Sequence, residues 1–216
     1  MLASMRFALL SLCTFRLFAQ DPYRTAPGNY KLEFENDWVR VSRVSYRPGD
    51  KLAVHDHPAL PTVYVYVTDG GPVLFGHQEF EPMRRPAVKA GQIRFNRGNK
   101  ETHTTEYLGD TPSEYIRIEL KTERIDLPRR DIRIAADDAT TFENGQLRIE
   151  RQECSPCTAV SLPTVVITMA DRRVHWVTEQ PPSGRQIRIT LKSKPLLSRG
   201  LGLPGCVRST RGPRAA

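Results

Sequence analysis

Tyr46-Arg47-Pro48-Gly49-Asp50-Lys51-Leu52-Ala53-Val54-His55-Asp56-His57-Pro58 is the stretch on which the fold turns. Arg-Pro-Gly-Asp is a turn signature: Pro fixes one backbone angle and Gly supplies a positive one. It separates a β-rich run holding Val39, Val41 and Val44 from a segment ending in two histidines at i and i+2. On an extended strand those two imidazoles project from one face. Outward from this stretch strand signals are dense and helical periodicity is almost absent. Val63-Tyr64-Val65-Tyr66-Val67 is β-branched and aromatic throughout, and it stops at the turn Thr68-Asp69-Gly70-Gly71-Pro72. Val73-Leu74-Phe75, Pro86 to Val88, Ile93 to Phe95 and Tyr115 to Leu120 follow as further strands. In the last, Ile116, Ile118 and Leu120 alternate with Arg117 and Glu119. That pattern predicts an outer strand with one apolar, buried face and one charged, solvent face. By the same alternation Arg94, between Ile93 and Phe95, is expected to point outward. Short strands about 8–12 residues apart, punctuated by Gly and Pro, predict an all-β sandwich or barrel.

The 216 residues are 39% hydrophobic and 8% aromatic, enough for one large or two small domains with a buried core. The formal charge of +8 suggests nucleic acid until its location is read. Eight basic residues and no acidic one lie from Arg185 to the C-terminus, and Arg6 and Arg16 lie in the first 20 residues. The rest has 22 basic and 24 acidic residues, a net charge of −2. Phosphate-backbone recognition needs a basic face on the fold itself, so no specific nucleic-acid partner is expected.

The chain repeats internally. Phe34-Glu35-Asn36 recurs as Phe142-Glu143-Asn144, and Val39-Arg40-Val41 as Leu147-Arg148-Ile149, both 108 residues on. Leu60-Pro61-Thr62-Val63 recurs as Leu162-Pro163-Thr164-Val165, 102 residues on. The second copy has therefore lost six residues, in the interval where the first carries His55 and His57. Lys121 to Arg130, rich in charge and carrying Pro128, reads as the linker between copies.

A third histidine, His103, follows Gly91, a β-run and the turn Arg97-Gly98-Asn99-Lys100. A neighbouring strand can bring it beside the first two, and three neutral imidazoles on a rigid sheet are a catalytic type of metal site. Gly49, His55 and His57 match the first motif of the cupin superfamily, and Gly91 and His103 match the second with one extra residue. On these residues the chain resembles a two-cupin protein. The resemblance implies a cupin-type double-stranded β-helix (jelly-roll) barrel over 30–121, a linker over 122–131 and a degenerate, incomplete cupin-like β unit over 132–191. Residues 192–216 read, from their composition, as a basic, disordered tail, either genuine or an out-of-frame end. It also implies one divalent transition metal (Fe, Zn, Mn, Cu or Ni) held by His55, His57 and His103. The acidic ligand of the first motif is missing, since no Asp or Glu lies between Pro58 and Thr68. Glu106, three residues after His103, falls on the opposite strand face; His77, beyond a hairpin turn, is a fourth candidate without support from spacing. Tyr64 and Tyr66 share a strand face near the site, to donate hydrogen bonds or pack the core. The second copy has neither His-x-His nor a late histidine, and its lone His175 reads as structural.

Two functions follow from the resemblance. One is a metal-dependent enzyme acting on a small oxygenated or acidic molecule, as dioxygenase, isomerase or lyase. The other is a non-enzymatic barrel binding a small acidic or sugar ligand. A second unit with uncovered strand edges invites a further chain, so a homodimer is an expectation. Residues 1–19 read as a signal peptide, with Arg6 ahead of an apolar Phe7–Ala19 run, which places the protein outside the cytoplasm, periplasmic or extracellular, with no transmembrane span after cleavage. Cys154-Ser155-Pro156-Cys157 reads as a surface turn with two thiols or a small disulfide, not a redox motif opening a helix. Ending the chain after Gly184 is expected to leave the first copy folded.

Overall fold

The computed structural model describes residues 21–77 and 81–196; the signal-peptide reading and most of the basic tail fall outside them. Three antiparallel sheets account for nearly all regular structure. The first has six strands, ordered β1 (Tyr30–Glu35), β2 (Val39–Tyr46), β9 (Ser113–Leu120), β4 (Thr62–Tyr66), β7 (Ile93–Asn96) and β10 (Ile132–Ile134). The second has four, ordered β3 (Lys51–His57), β8 (Glu101–Tyr107), β5 (Val73–Gly76) and β6 (Met83–Arg85). These two face each other as a jelly-roll barrel of antiparallel strands. Tyr46 of the first sheet stacks on Tyr107 of the second, with ring centroids 5.4 Å apart. The expected strand over Pro86 to Val88 lies earlier, at Met83–Arg85, and Val88 makes only an isolated bridge to Gly70.

The third sheet, ordered β11 (Phe142–Glu143), β12 (Leu147–Cys154), β15 (Gly184–Leu191), β13 (Thr164–Thr168) and β14 (Val174–Val177), is the second copy. Its order repeats β1-β2-β9-β4-β7 strand for strand. Local hydrogen bonds repeat too. The Asn36 carboxamide oxygen accepts from the Trp38 and Val39 amides, and that of Asn144 from the Gln146 and Leu147 amides. The Thr62 hydroxyl donates to the Leu60 carbonyl and the Thr164 hydroxyl to the Leu162 carbonyl, each at 2.9 Å. A further correspondence is visible only through this topology: Ile116-Arg117-Ile118-Glu119-Leu120-Lys121 and Ile187-Arg188-Ile189-Thr190-Leu191-Lys192 occupy equivalent strands. Copy two has thus kept one sheet of the barrel and lost the whole sheet that carries the histidines.

The third sheet packs on the outside of the first. One core joins Val39, Val63, Ile93, Ile116, Ile118 and Leu120 of copy one to Leu147, Ile149, Val165, Ile187 and Ile189 of copy two. This reverses two expectations. Arg117 and Glu119 do not face solvent; they point into the barrel at 5% and 4% exposure. Arg94 also points inward, at 7% exposure. Alternation predicts which residues share a face but not which face meets water. Here the apolar face is outermost and covered by copy two, while the charged face lines a cavity.

Lys192 to Leu196, read as tail, are ordered. Thr122 bridges Pro195, and the Ser193 hydroxyl donates to the Glu123 carbonyl at 2.8 Å. Cys154 and Cys157 form a disulfide in the loop region after β12. Among the described residues no helix is long and apolar enough to cross a membrane.

Candidate metal centre

β3 and β8 pair antiparallel, and their register sets His55 directly opposite His103. His57 lies two residues further along the same face. The glycine ahead of β8 helps fix this pairing. Gly98 has φ +88°, and a Cβ there would stand 2.4 Å from the Pro61 nitrogen. Only glycine lets the turn lie against the Leu60-Pro61 backbone while keeping that conformation.

All three imidazoles are buried, at 0%, 3% and 4% exposure for His55, His57 and His103. Their ring centroids are 4.7–5.1 Å apart, and one nitrogen from each lies within 4.8 Å of the others. The His55 Nδ1–H donates to the Ala53 carbonyl at 2.8 Å. A carbonyl can only accept, so the proton is on Nδ1 and the Nε2 lone pair is free. That Nε2 is buried without a hydrogen-bond partner, as is His103 Nδ1. Buried polar atoms left unpaired cost free energy unless something binds them. Two orphaned nitrogens beside a third imidazole fit a metal ion.

Electrostatics keep these donors neutral. Burial pushes the His103 pKa down to about 2, helped by His55, Arg85, His77 and Arg117. Burial, then Arg117 and the other two histidines, pushes His57 down further, and burial also lowers His55. In the unfolded chain each titrates near pH 6.5. Between the two pKa values the unfolded state binds more protons, so stability is complete above about pH 6.5 and falls as pH drops. Chelated protein is expected to lose about 2 kcal/mol at pH 5 from His103 alone, with His55 and His57 acting in the same direction. Urea midpoints measured from about pH 7.5 down to about pH 5 check this; a flat profile would contradict burial of neutral imidazoles.

The sequence reading missed an acidic group here. Glu101 precedes His103 by two residues, so both side chains leave β8 on one face, and it pairs across the sheet with His57. Its carboxylate stands 3.9 Å from His103 Nδ1. The signal was in the sequence, two residues before His103 instead of after His57. Glu106 faces away and pairs with Lys51 at 2.9 Å, as its position on the strand predicts. His77 lies with its ring centroid 5.8 Å from His103. Tyr30 covers the opposite side, its ring centroid 5.8 Å from that of His55 and 6.0 Å from that of His57.

Facing the histidines from the first sheet are Tyr64, Tyr115 and Arg117, which line one small pocket with His57, His103 and Glu101. Arg117 donates to the Tyr64 hydroxyl at 2.7 Å and to Glu119 at 3.1 Å. Tyr64 lies between two guanidiniums, Arg94 and Arg117, whose central carbons are 5.1 Å and 5.2 Å from its ring centroid. Tyr64 and Tyr66, expected on one face near the site, both line the adjoining cavity.

No family model matches the chain, and no curated protein matches it. Solved structures do. A cupin domain from Bordetella pertussis Tohama I is 23% identical, covering 43% of this chain and 91% of that one at a TM-score of 0.38. The protein YhaK from Escherichia coli is 10% identical over 83% of this chain and 96% of its own, at 0.41. A putative glyoxylate-induced protein from Pseudomonas aeruginosa is 10% identical over 76% and 72%, at 0.44. With TM-scores this low, the fold assignment rests on the chain's own sheets and registers.

Proposed function

We propose that this chain is an exported metal-binding cupin barrel that acts on a small oxygenated or acidic molecule, as a dioxygenase, isomerase or lyase. The observation that carries the reading is the trio His55, His57 and His103, buried and neutral, with two of its nitrogens unpartnered. Glu101, with its carboxylate 3.9 Å from His103 Nδ1, is an acidic group beside the trio. Imidazole and carboxylate donors suit Zn, Fe, Mn, Cu or Ni. When bound, such an ion supplies Lewis acidity or, for iron, oxygen chemistry. Three neutral imidazoles leave a divalent ion's charge uncompensated apart from the neighbouring Glu101 carboxylate, which favours an anionic, oxygen-donating ligand. The chain's own residues do the rest. Tyr64 can donate from its hydroxyl because Arg117 already supplies the proton that the oxygen accepts. Tyr30 and Phe75 close apolar rings over the histidines, keeping water from their donor atoms. Export is supported by the apolar leader and by the Cys154–Cys157 disulfide, which persists in oxidising compartments.

Metal analysis of the purified protein, paired with thermal unfolding, tests this. The protein should carry close to one transition metal, and adding Zn or Fe(II) to chelated protein should raise Tm by about 5–10 °C. His103→Ala should abolish that shift, and Glu101→Gln should weaken metal binding by about tenfold. Metal below about a tenth of an equivalent, with no shift on adding either ion, would remove the enzyme reading and leave a barrel that binds its ligand without metal.

A further inference from the structure

The cavity beside the histidines has a wall the metal does not explain. It measures about 700 Å³ including its open mouth, and it shares Tyr46, Tyr64, Phe75, Arg85 and Tyr115 with the smaller pocket at the metal centre. The two are therefore adjoining parts of one barrel interior. Three arginines line the cavity, Arg85, Arg94 and Arg133, and among the described residues no Asp or Glu does.

Arg94 is the informative one. Its Nε and Nη2 donate to a single Asp131 oxygen, at 3.0 Å and 2.8 Å. Its Nη1 is buried with no acceptor, in a residue only 7% exposed. The guanidinium therefore keeps one donor nitrogen without an acceptor in the wall of the cavity it lines. Arg85 makes no ion pair among the described residues; its guanidinium carbon lies 4.0 Å above the Phe75 ring centroid. Burial, followed by the neighbouring Arg94 charge, pushes the Arg85 pKa down. Arg133 pairs across the sheet with Arg94 and is exposed at the mouth. Asp131 is the counter-charge of buried Arg94, Arg85 is half-buried with no ion pair among the described residues, and Tyr46, Tyr64, Tyr66, Phe75, Tyr107 and Tyr115 make up most of the remaining wall.

We infer that Arg94 and Arg85 form an anion pocket that takes the carboxylate of a small, planar, oxygen-rich acid, leaving its other end toward His55, His57 and His103. This deepens the functional reading above, because it names the substrate class of the same barrel. It does not need the metal. Arginine edges recognise carboxylates by paired charge-assisted hydrogen bonds. Aromatic walls favour a flat ligand over a hydrated, compact ion such as phosphate.

The experiment is calorimetric titration of the folded protein, chelated and Zn-loaded, with benzoate, succinate, benzamide and inorganic phosphate. Benzoate or succinate should bind the chelated protein saturably, and benzoate at least about tenfold tighter than benzamide. Arg94→Gln and Arg85→Gln should each weaken carboxylate binding by about tenfold, and Arg94→Lys should restore part of it. Should Arg94→Gln fail to fold, Arg85→Gln carries the test alone. Equal binding of benzoate and benzamide, preference for phosphate, or no carboxylate binding to the folded chelated protein would overturn the proposal. Carboxylate binding that survives chelation, with no metal uptake, would keep this pocket and remove the metal reading. Metal uptake without carboxylate binding would do the reverse.

Discussion

Ending the chain after Gly184 is expected to abolish soluble protein, although the deleted residues include none of the barrel's own strands. The cut removes most of β15, the inner strand of the second copy. It pairs with β12 over eight residue pairs and with β13 over five. Without it the third sheet has no centre, and the outer face of the first sheet loses its cover. Nine large side chains of that face, from Val39 and Val41 through Val63, Val65, Ile93 and Phe95 to Ile116, Ile118 and Leu120, are at most 1% exposed. Burying each contributes about 1.5–3 kcal/mol, against a net stability of about 5–15 kcal/mol for a domain. Expression of the truncated chain, fractionated into soluble and pelleted material, checks this. Soluble, folded protein ending at Gly184 would show that the first barrel stands alone, as its sequence suggests.

The second large effect is expected from Arg117→Ala. Arg117 and Glu119 are an ion pair at 3.1 Å inside the barrel, and Arg117 also holds the Tyr64 hydroxyl. Among the described residues, truncating the arginine leaves Glu119 with only a 3.9 Å contact to Arg40. An uncompensated buried charge costs about 3–5 kcal/mol, so Tm should fall by about 10 °C. The double substitution Arg117→Met with Glu119→Leu removes both charges and should recover most of that loss. If the single variant unfolds within a degree or two of the parent protein and the double gains nothing, the pair is solvated and the barrel interior is wetter than its geometry indicates.

These two expectations mark where the sequence was legible and where it was not. The turn at Arg47–Asp50, the alternating runs and the His-x-His spacing all report local backbone geometry, which short-range chemistry dictates. They located the barrel and brought His55, His57 and His103 together correctly. The direction of Arg94, Arg117 and Glu119 depends on what lies across a sheet, which no local pattern encodes. Ile116 to Leu120 reads the same whether its charged face meets water or a cavity. Glu101 was legible by the two-residue rule but was hidden by looking for the acid after His57. The match between Ile116–Lys121 and Ile187–Lys192 lay behind a loss of 31 further residues from the second copy, too large a gap to bridge without knowing the strand order.

The sheet that copy two retains has one further consequence. It covers the first barrel as a second molecule would, but it is joined to it by Lys121 to Arg130. Tethering turns an association step into a unimolecular one, so the cover is present at any dilution. Within one chain, the docking of the third sheet on the first should not depend on protein concentration. Expressed as two separate polypeptides divided within that tether, the halves would regain molecularity, and the barrel's stability would then rise with the concentration of its former second half.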